Sequence, residues 1–362
     1  MNFQQLDLDK MLAAIVPADG TMGAAAQERL DNLTKPLGAL GRLEEAARQL
    51  CAIQQTLTPS VAVKKIITFA GDHGVVAEGV SAVPAEVTQQ MVHNFLAGGA
   101  GVNVLARQAG AEVRVVDVGV AAELSAPGLL VHKVKAGTDN LRHGPAMSEA
   151  EALAAIGVGA QVAASAMADG AQLLGTGEMG IGNTTPSAAL FAAYLGLTAE
   201  EITGRGTGLD DAGLARKVKV IDEALAVNRQ RVKNGPLATL AALGGLEIAA
   251  ICGMILAAAG KRVAVVVDGF ISSAGALAAL KMQPAVADYL FFSHMSAEQG
   301  HRHFFTEMNF SPLLHLDLRL GEGTGAALAM PIIEAGVKII TEMATFAEAG
   351  VEIGEESERE ES

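Results

Sequence analysis

Two glutamates stand where residue type and spacing suit chemistry. One sits between glycines in Gly321-Glu322-Gly323, and the other lies within Gly175-Thr176-Gly177-Glu178-Met179-Gly180. A carboxylate on a glycine-dense loop is costly to bury unless it is paired or used. Partly desolvated, it gains a raised pKa and suits the work of a general base; the alternative for Glu322 is an ordinary surface glutamate. If Glu178 and Glu322 face each other across a crevice, the pair suits reaction at an anomeric carbon, where an oxocarbenium-like transition state forms. The run from Gly175 to Gly180 also matches G-x-G-x-x-G ahead of a helix expected to begin near Thr184 or Thr185. Free N–H groups and the positive end of the helix dipole suit a phosphate there. A dinucleotide site would add an acid about 20 residues further on, closing the next strand. Thr198-Ala199-Glu200-Glu201 occupies that place and reads as a helix start, so a monophosphate site survives better. Glycines serving only a tight turn are the other reading. Gly321 to Ala326 resembles the same fingerprint but lies too near the C-terminus for a full βαβ unit to follow.

Other candidates carry weaker signals. His294, His301 and His303 with Asp72-His73 raise the question of a metal, but nothing in their spacing makes a ligand set converge, and no metal is expected. Asp210-Asp211 reads first as a helix N-cap. Arg216 and Lys217, in the first turns of that helix, are in reach of a phosphate, with solvated helix charge as the alternative.

The elements that must position these residues follow from apolar patterning. Six β-rich runs stand out: Ile66 to Ala70, Val113 to Val118, Gln172 to Gly175, Val263 to Val267, Tyr289 to Phe292 and Leu313 to Leu318. Several are near-continuous apolar runs, as expected of strands covered on both faces. Each is followed by a glycine-containing loop, and Ala/Leu-rich helical segments such as Pro186 to Gly196 and Asp211 to Arg231 lie between them. That alternation predicts an α/β fold with an open parallel sheet. Ligands of such sheets bind at the carboxyl ends of the strands. Those ends carry Gly71 to Gly74, Gly175 to Gly180, Asp268 to Phe270, Ser293 to Ser296 and Arg319 to Gly325, which should converge on one crevice. The large α/β domain is expected over 61–336. Residues 1–60, broken at Thr34 to Gly38, and 337–350 should form a small helical domain, and 351–362 an acidic, disordered tail.

Composition narrows the class. The 362 residues carry a formal net charge of −14; the tail from Glu352 holds six Glu against one Arg, and the rest of the chain keeps −9. An acidic body argues against nucleic acid as a partner. No run approaches ~18 consecutive apolar residues, so no membrane span is expected. The N-terminus lacks the pattern of a signal peptide. Cys51 and Cys252 read as reduced, packed thiols of a cytoplasmic protein.

Five motifs in order then carry a resemblance. They are Gly71-Asp72-His73-Gly74 followed by Gly79-Val80-Ser81-Ala82, the loop at 177–185, the run at 269–275, Ser293-His294 with Ser296-Ala297-Glu298, and Leu318 to Gly325. Together they resemble the nicotinate-nucleotide:dimethylbenzimidazole phosphoribosyltransferase family over nearly the whole chain. The resemblance implies a Rossmann-like sheet with flanking helices, a small domain from both termini and a homodimer with active sites near the subunit interface. It implies transfer of phosphoribose from nicotinate mononucleotide to a benzimidazole-type base for the lower ligand of cobalamin. By that pattern Glu322 is the catalytic base and Glu178 lies close to the reacting ribose. Ser81 and Gln89, or its neighbour Gln90, contact the base beside Met179 and Leu320. Gly177, Gly180, Gly182, Asn183 and Thr184, with Lys217 and Ser296, hold the nucleotide and its phosphate. No cofactor is implied, since the leaving group is not a pyrophosphate. An NAD-dependent oxidoreductase and a non-enzymatic nucleotide sensor are the competing readings. The missing ribose-binding acid counts against the first, and the two glutamates count against the second.

Overall fold

A computed structural model describes residues 7–352. Six strands, β1 (Lys64–Gly71), β2 (Ala111–Gly119), β3 (Leu129–Val131), β4 (Leu173–Met179), β5 (Ala264–Val267) and β6 (Leu290–Phe292), form one parallel sheet in the order 3-2-1-4-5-6. β1, β5 and β6 are buried along their whole lengths; β5 and β6 are accordingly unbroken apolar runs, and β1 is apolar from Ile66 to Ala70 apart from Thr68. The order reverses between β1 and β4, and at such a point the loops part to leave a crevice at the carboxyl ends.

Three differences from the sequence reading matter. β4 runs through Met179, because Phe69 and Ala70 of β1 pair with Glu178 and Met179. Glu178 is therefore fixed by the sheet, not carried on a loop. Leu313 to Leu318 is no strand. The amides of Leu313 and Leu314 donate to Phe292 and Ser293, but Leu316 is exposed and Asp317 turns left-handed at φ +52°, which interrupts the pairing before Ala297 donates to Leu318. The third is the edge strand β3, three residues after Pro127-Gly128, too short to show a pattern.

The helices close the layers. Helix Leu246–Gly260 packs on β1, β2, β4 and β5 and lies against helix Glu149–Ala168. A Cβ on Gly159 would collide with the Ala250 carbonyl oxygen, and one on Gly253 with that of Ile156, so only glycine allows this crossing. Helices Glu149–Ala168 and Thr324–Glu342 are long and apolar enough by composition to cross a membrane, yet half or more of each is buried inside the protein.

The chain divides into two compact units. The larger takes residues 63–330 and also 7–17, which the sequence reading gave to the small domain. Gln283 Nε2 donates to the Leu12 carbonyl at 3.0 Å, and Tyr289 Oη to that of Val16 at 2.8 Å, with Ile15 buried between. The smaller unit, 18–62 with the described chain from 331, has its own core of Ala26, Leu30, Leu33, Ala47, Cys51 and Ile340. The expected acidic tail lies, from Ile353 onward, outside the described residues.

Candidate active site

At the carboxyl ends of the strands a cavity of about 310 Å³ opens, lined by residues that follow β4, β5 and β6. Glu178 forms part of its wall. The residue is 6% exposed, and its carboxyl group takes a hydrogen bond from Asn183 Nδ2 at 2.5 Å and another from the Glu322 amide. Burial, and next the charge of Asp268, push its pKa up to about 8. At pH 7 it therefore holds its proton.

Glu322 is built differently. It adopts φ +67°, a left-handed conformation rare outside glycine. Its Oε2 accepts the Val102 amide at 3.1 Å, at the start of helix Gly101–Ala109, where the dipole favours an anion. Burial raises its pKa, and the amides of Val102 and Gly101 hold that rise back. The two glutamates are thus joined through the Glu322 amide, not carboxyl to carboxyl. Gly177 makes this possible, since a Cβ there would collide with the Glu322 carbonyl oxygen.

Gly182, Asn183 and Thr184, at the start of a helix, form another part of the cavity wall. Helix Thr184–Leu195 starts with no side-chain hydrogen bond on its terminus, since the side chain of Asn183 is engaged with Glu178. The Asn183 and Thr185 amides bond to the carbonyls of Gly180 and Gly182 and Pro186 has no N–H, so the Thr184 amide and the helix dipole are what this terminus offers an anion. Behind it Lys217 is fully buried, with Nζ 2.6 Å from Thr184 Oγ1 and 3.1 Å from the Gly204 carbonyl oxygen. Burial lowers its pKa to about 8, opposed by Glu298.

The phosphoribosyltransferase family profile matches residues 15–351. A nicotinate-nucleotide–dimethylbenzimidazole phosphoribosyltransferase of Geotalea uraniireducens is 60% identical over 96% of this chain and 99% of its own length. One of that name from Chlorobium chlorochromatii is 59% identical over 97% and 99%. The crystal structure of CobT from Thermus thermophilus matches with a TM-score of 0.89 at 51% identity, covering 92% of this chain and all of its own. The chain belongs to the nicotinate-nucleotide–dimethylbenzimidazole phosphoribosyltransferase family.

Within this phosphoribosyltransferase, Ser81, Glu178, Met179, Gly180, Gly182, Asn183, Thr184, Ser296 and Leu320 line the cavity together. Glu322, Gln89, Gly177 and Lys217 do not. Gly177 serves backbone packing inside β4, and Lys217 braces the loop from behind. Gln89 lies in helix Val87–Leu96, one residue after Thr88, whose buried hydroxyl accepts the Ile181 amide at 3.1 Å. Thr88 was missed, and no signal in its neighbourhood marks it. Gly206-Thr207 was also missed; Thr207 Oγ1 accepts the Ala82 amide at 2.9 Å, tying the Ser81 loop across the cavity.

The histidines resolve into structural roles. His301 Nδ1 accepts the Ser296 amide, its Nε2 pairs with Ser273 Oγ, and burial lowers its pKa to about 3. His294 lines the cavity, its Nδ1 against Ser293 Oγ, with burial lowering its pKa to about 4. His73 is buried against Glu247 at 2.8 Å. Among the described residues no three His, Cys, Asp or Glu side chains form a metal-ligating group.

Proposed function

We propose that this enzyme transfers the phosphoribosyl group of nicotinate mononucleotide to 5,6-dimethylbenzimidazole, giving nicotinate and α-ribazole 5′-phosphate, the nucleotide of the cobalamin lower ligand. The observation that carries the reading is one cavity walled by a buried acid and by the helix terminus whose Asn183 side chain holds that acid, braced from behind by a buried lysine. The names of the 59–60% identical relatives point the same way.

The phosphate sits against the terminus at Gly182 to Thr184, with Ser296 beside it and Lys217 holding the loop's shape. Ribose C1′ then lies toward Glu178. Nicotinate is joined through a pyridinium nitrogen and leaves with its ring neutral, taking the bonding electron pair onto that nitrogen, so no acid need protonate it. Positive charge grows on the sugar as that bond lengthens, and the Glu178 carboxyl, which releases its proton to solvent when the pyridinium ring is bound beside it, stabilises it. The incoming azole attacks through one nitrogen and must shed the proton on the other. Glu322, set behind the cavity-lining Leu320 and Gly321, takes that proton once the base is bound against them; two backbone N–H groups use only part of a carboxylate's acceptor capacity. Attack opposite the leaving group inverts the β-nucleotide to the α-riboside. Ser81 and Gln89 select the base against Met179 and Leu320, and the enzyme works as a cytoplasmic homodimer.

The test is incubation with nicotinate mononucleotide and 5,6-dimethylbenzimidazole, followed by mass spectrometry and NMR of the product. An α-configured riboside phosphate is expected. A β product would remove the inversion, and no transfer to any azole would remove the assignment.

A further inference from the structure

The end of β5 carries a carboxylate that no step of this reaction uses. Asp268 is 1% exposed. Its Oδ1 accepts the amides of Gly325 at 2.7 Å and Ala326 at 3.1 Å, and its Oδ2 that of Gly323 at 3.1 Å. Its own amide donates to Thr176 Oγ1 at 2.9 Å, on β4 two residues before Glu178. Its carbonyl accepts Ser293 Oγ at 2.7 Å, and that oxygen lies 3.0 Å from His294 Nδ1. One residue therefore ties together the ends of β4 and β6 and the turn bearing Glu322.

Energetics make this more than a convenient cap. A buried carboxylate is tolerated only where donors replace its water, and here the Gly323 amide and two amides from the first turn of helix Thr324–Glu342 offset part of its burial. The turn they hold keeps Glu322 left-handed, a strained conformation that persists where surroundings over-determine it. One of those three amides, Gly323, is the next residue along. On its other side Asp268 acts on Glu178 through charge. Glu178 is also faced by Asn183, by the Glu322 amide and by Glu247 at the start of helix Leu246–Gly260, itself paired with His73 from the segment after β1. Among these Asp268 has the largest effect after burial itself. His294 is held neutral and adds no charge.

We propose that Asp268 is the positioning residue of this site: its carboxylate fixes the 321–326 turn, and with it the Glu322 carboxyl, while its negative charge governs the proton on Glu178. The kinetic half of this rests on the phosphoribosyl-transfer reading; the structural half does not. Asp268→Asn keeps the volume but sets an NH₂ group against a loop N–H, so one donor faces another.

The experiment pairs hydrogen–deuterium exchange with pH-dependent kinetics on the full chain. In Asp268→Asn, peptides covering 318–330 exchange about tenfold faster, while those of β1 and β4 keep their protection. With nicotinate mononucleotide, kcat falls about 10–100-fold and KM stays within about threefold. The rising limb of kcat/KM against pH moves to lower pH, since Glu178 ionises more readily without its negative neighbour. Ser293→Ala, which removes a hydrogen bond to Asp268 but no charge, leaves that limb where it is. If Asp268→Asn does not fold, Asp268→Ser, with room for a water, is read in the same way and in the same directions. Unchanged exchange at 318–330 overturns the positioning role, and an unmoved limb overturns the electrostatic one. Wild type that transfers no phosphoribose would sink the functional reading alone, leaving the exchange result to stand.

Discussion

Glu322 and Glu178 differ in what surrounds them, and that difference separates their roles. Glu322 meets two amides at a helix start, which favour its anion, whereas Glu178 meets burial and a second carboxylate, which favour its acid. A base must be ionised to accept the azole proton. Glu322→Gln keeps shape and hydrogen bonding, so turnover should fall about 10²–10⁴-fold while both substrates still bind. Steady-state kinetics and calorimetry check this, with Glu178→Gln expected to lose less. A dead Glu178→Gln beside a near-normal Glu322→Gln would exchange the two roles. Ser81 holds its loop as well as facing the cavity, since its hydroxyl donates to the Val83 carbonyl at 2.9 Å and meets Thr207. Ser81→Ala and Gln89→Ala should each alter relative rates among azole bases, by about tenfold, with little change in KM for the nucleotide. An equal loss for every base would assign these residues to the loop's shape alone.

At the scale of elements, what the chain made legible was what burial writes into composition. Strands covered on both faces are near-continuous apolar runs, so five of the six expected runs coincide with strands; Leu313 to Leu318 has the composition but lies on an exposed flank where Asp317 turns away. The glycine-rich loops at strand ends were legible because helix starts and close approaches need glycine. Which side chain turns into the cavity was not, because that depends on tertiary hydrogen bonds. Lys217 stood out as a charged residue near a phosphate site, but its burial behind Thr184 follows from the Gly204 to Gly206 loop passing over it. Lys217→Met retains the apolar stem and loses the charged donor. A hydrogen bond of this kind is worth about 1.5–3 kcal/mol, so KM for nicotinate mononucleotide should rise about 10–100-fold with a smaller change in kcat. A fall in kcat alone would place Lys217 in the chemistry.

For the whole molecule, the leaving group decides what the enzyme needs. Nicotinate departs with a neutral ring and carries no pyrophosphate, so activity should survive EDTA; loss on chelation, restored by one metal, would refute that chemistry. The buried titratable groups also set how stability varies with pH. Glu178 and Asp268 have pKa values raised to about 8 and about 7, mainly by burial, and His73 is raised by Glu247 and Asp72 against its own desolvation. Each binds its proton more tightly folded than unfolded, so each contributes stability that is lost as pH climbs through its folded value. His294 and His301, lowered to about 4 and about 3, work the other way, but their contribution is complete once pH passes about 6.5. Lys217, lowered to about 8, gives a rise only at higher pH. Between about 6.5 and 8 the raised groups therefore act unopposed, and Tm should fall by several degrees over that interval. Glu178→Gln removes one of them without adding charge and should flatten the decline. Calorimetry across that range checks both, and a wild-type Tm that stays level or rises would mean these carboxyls are already ionised in the folded protein at pH 6.5.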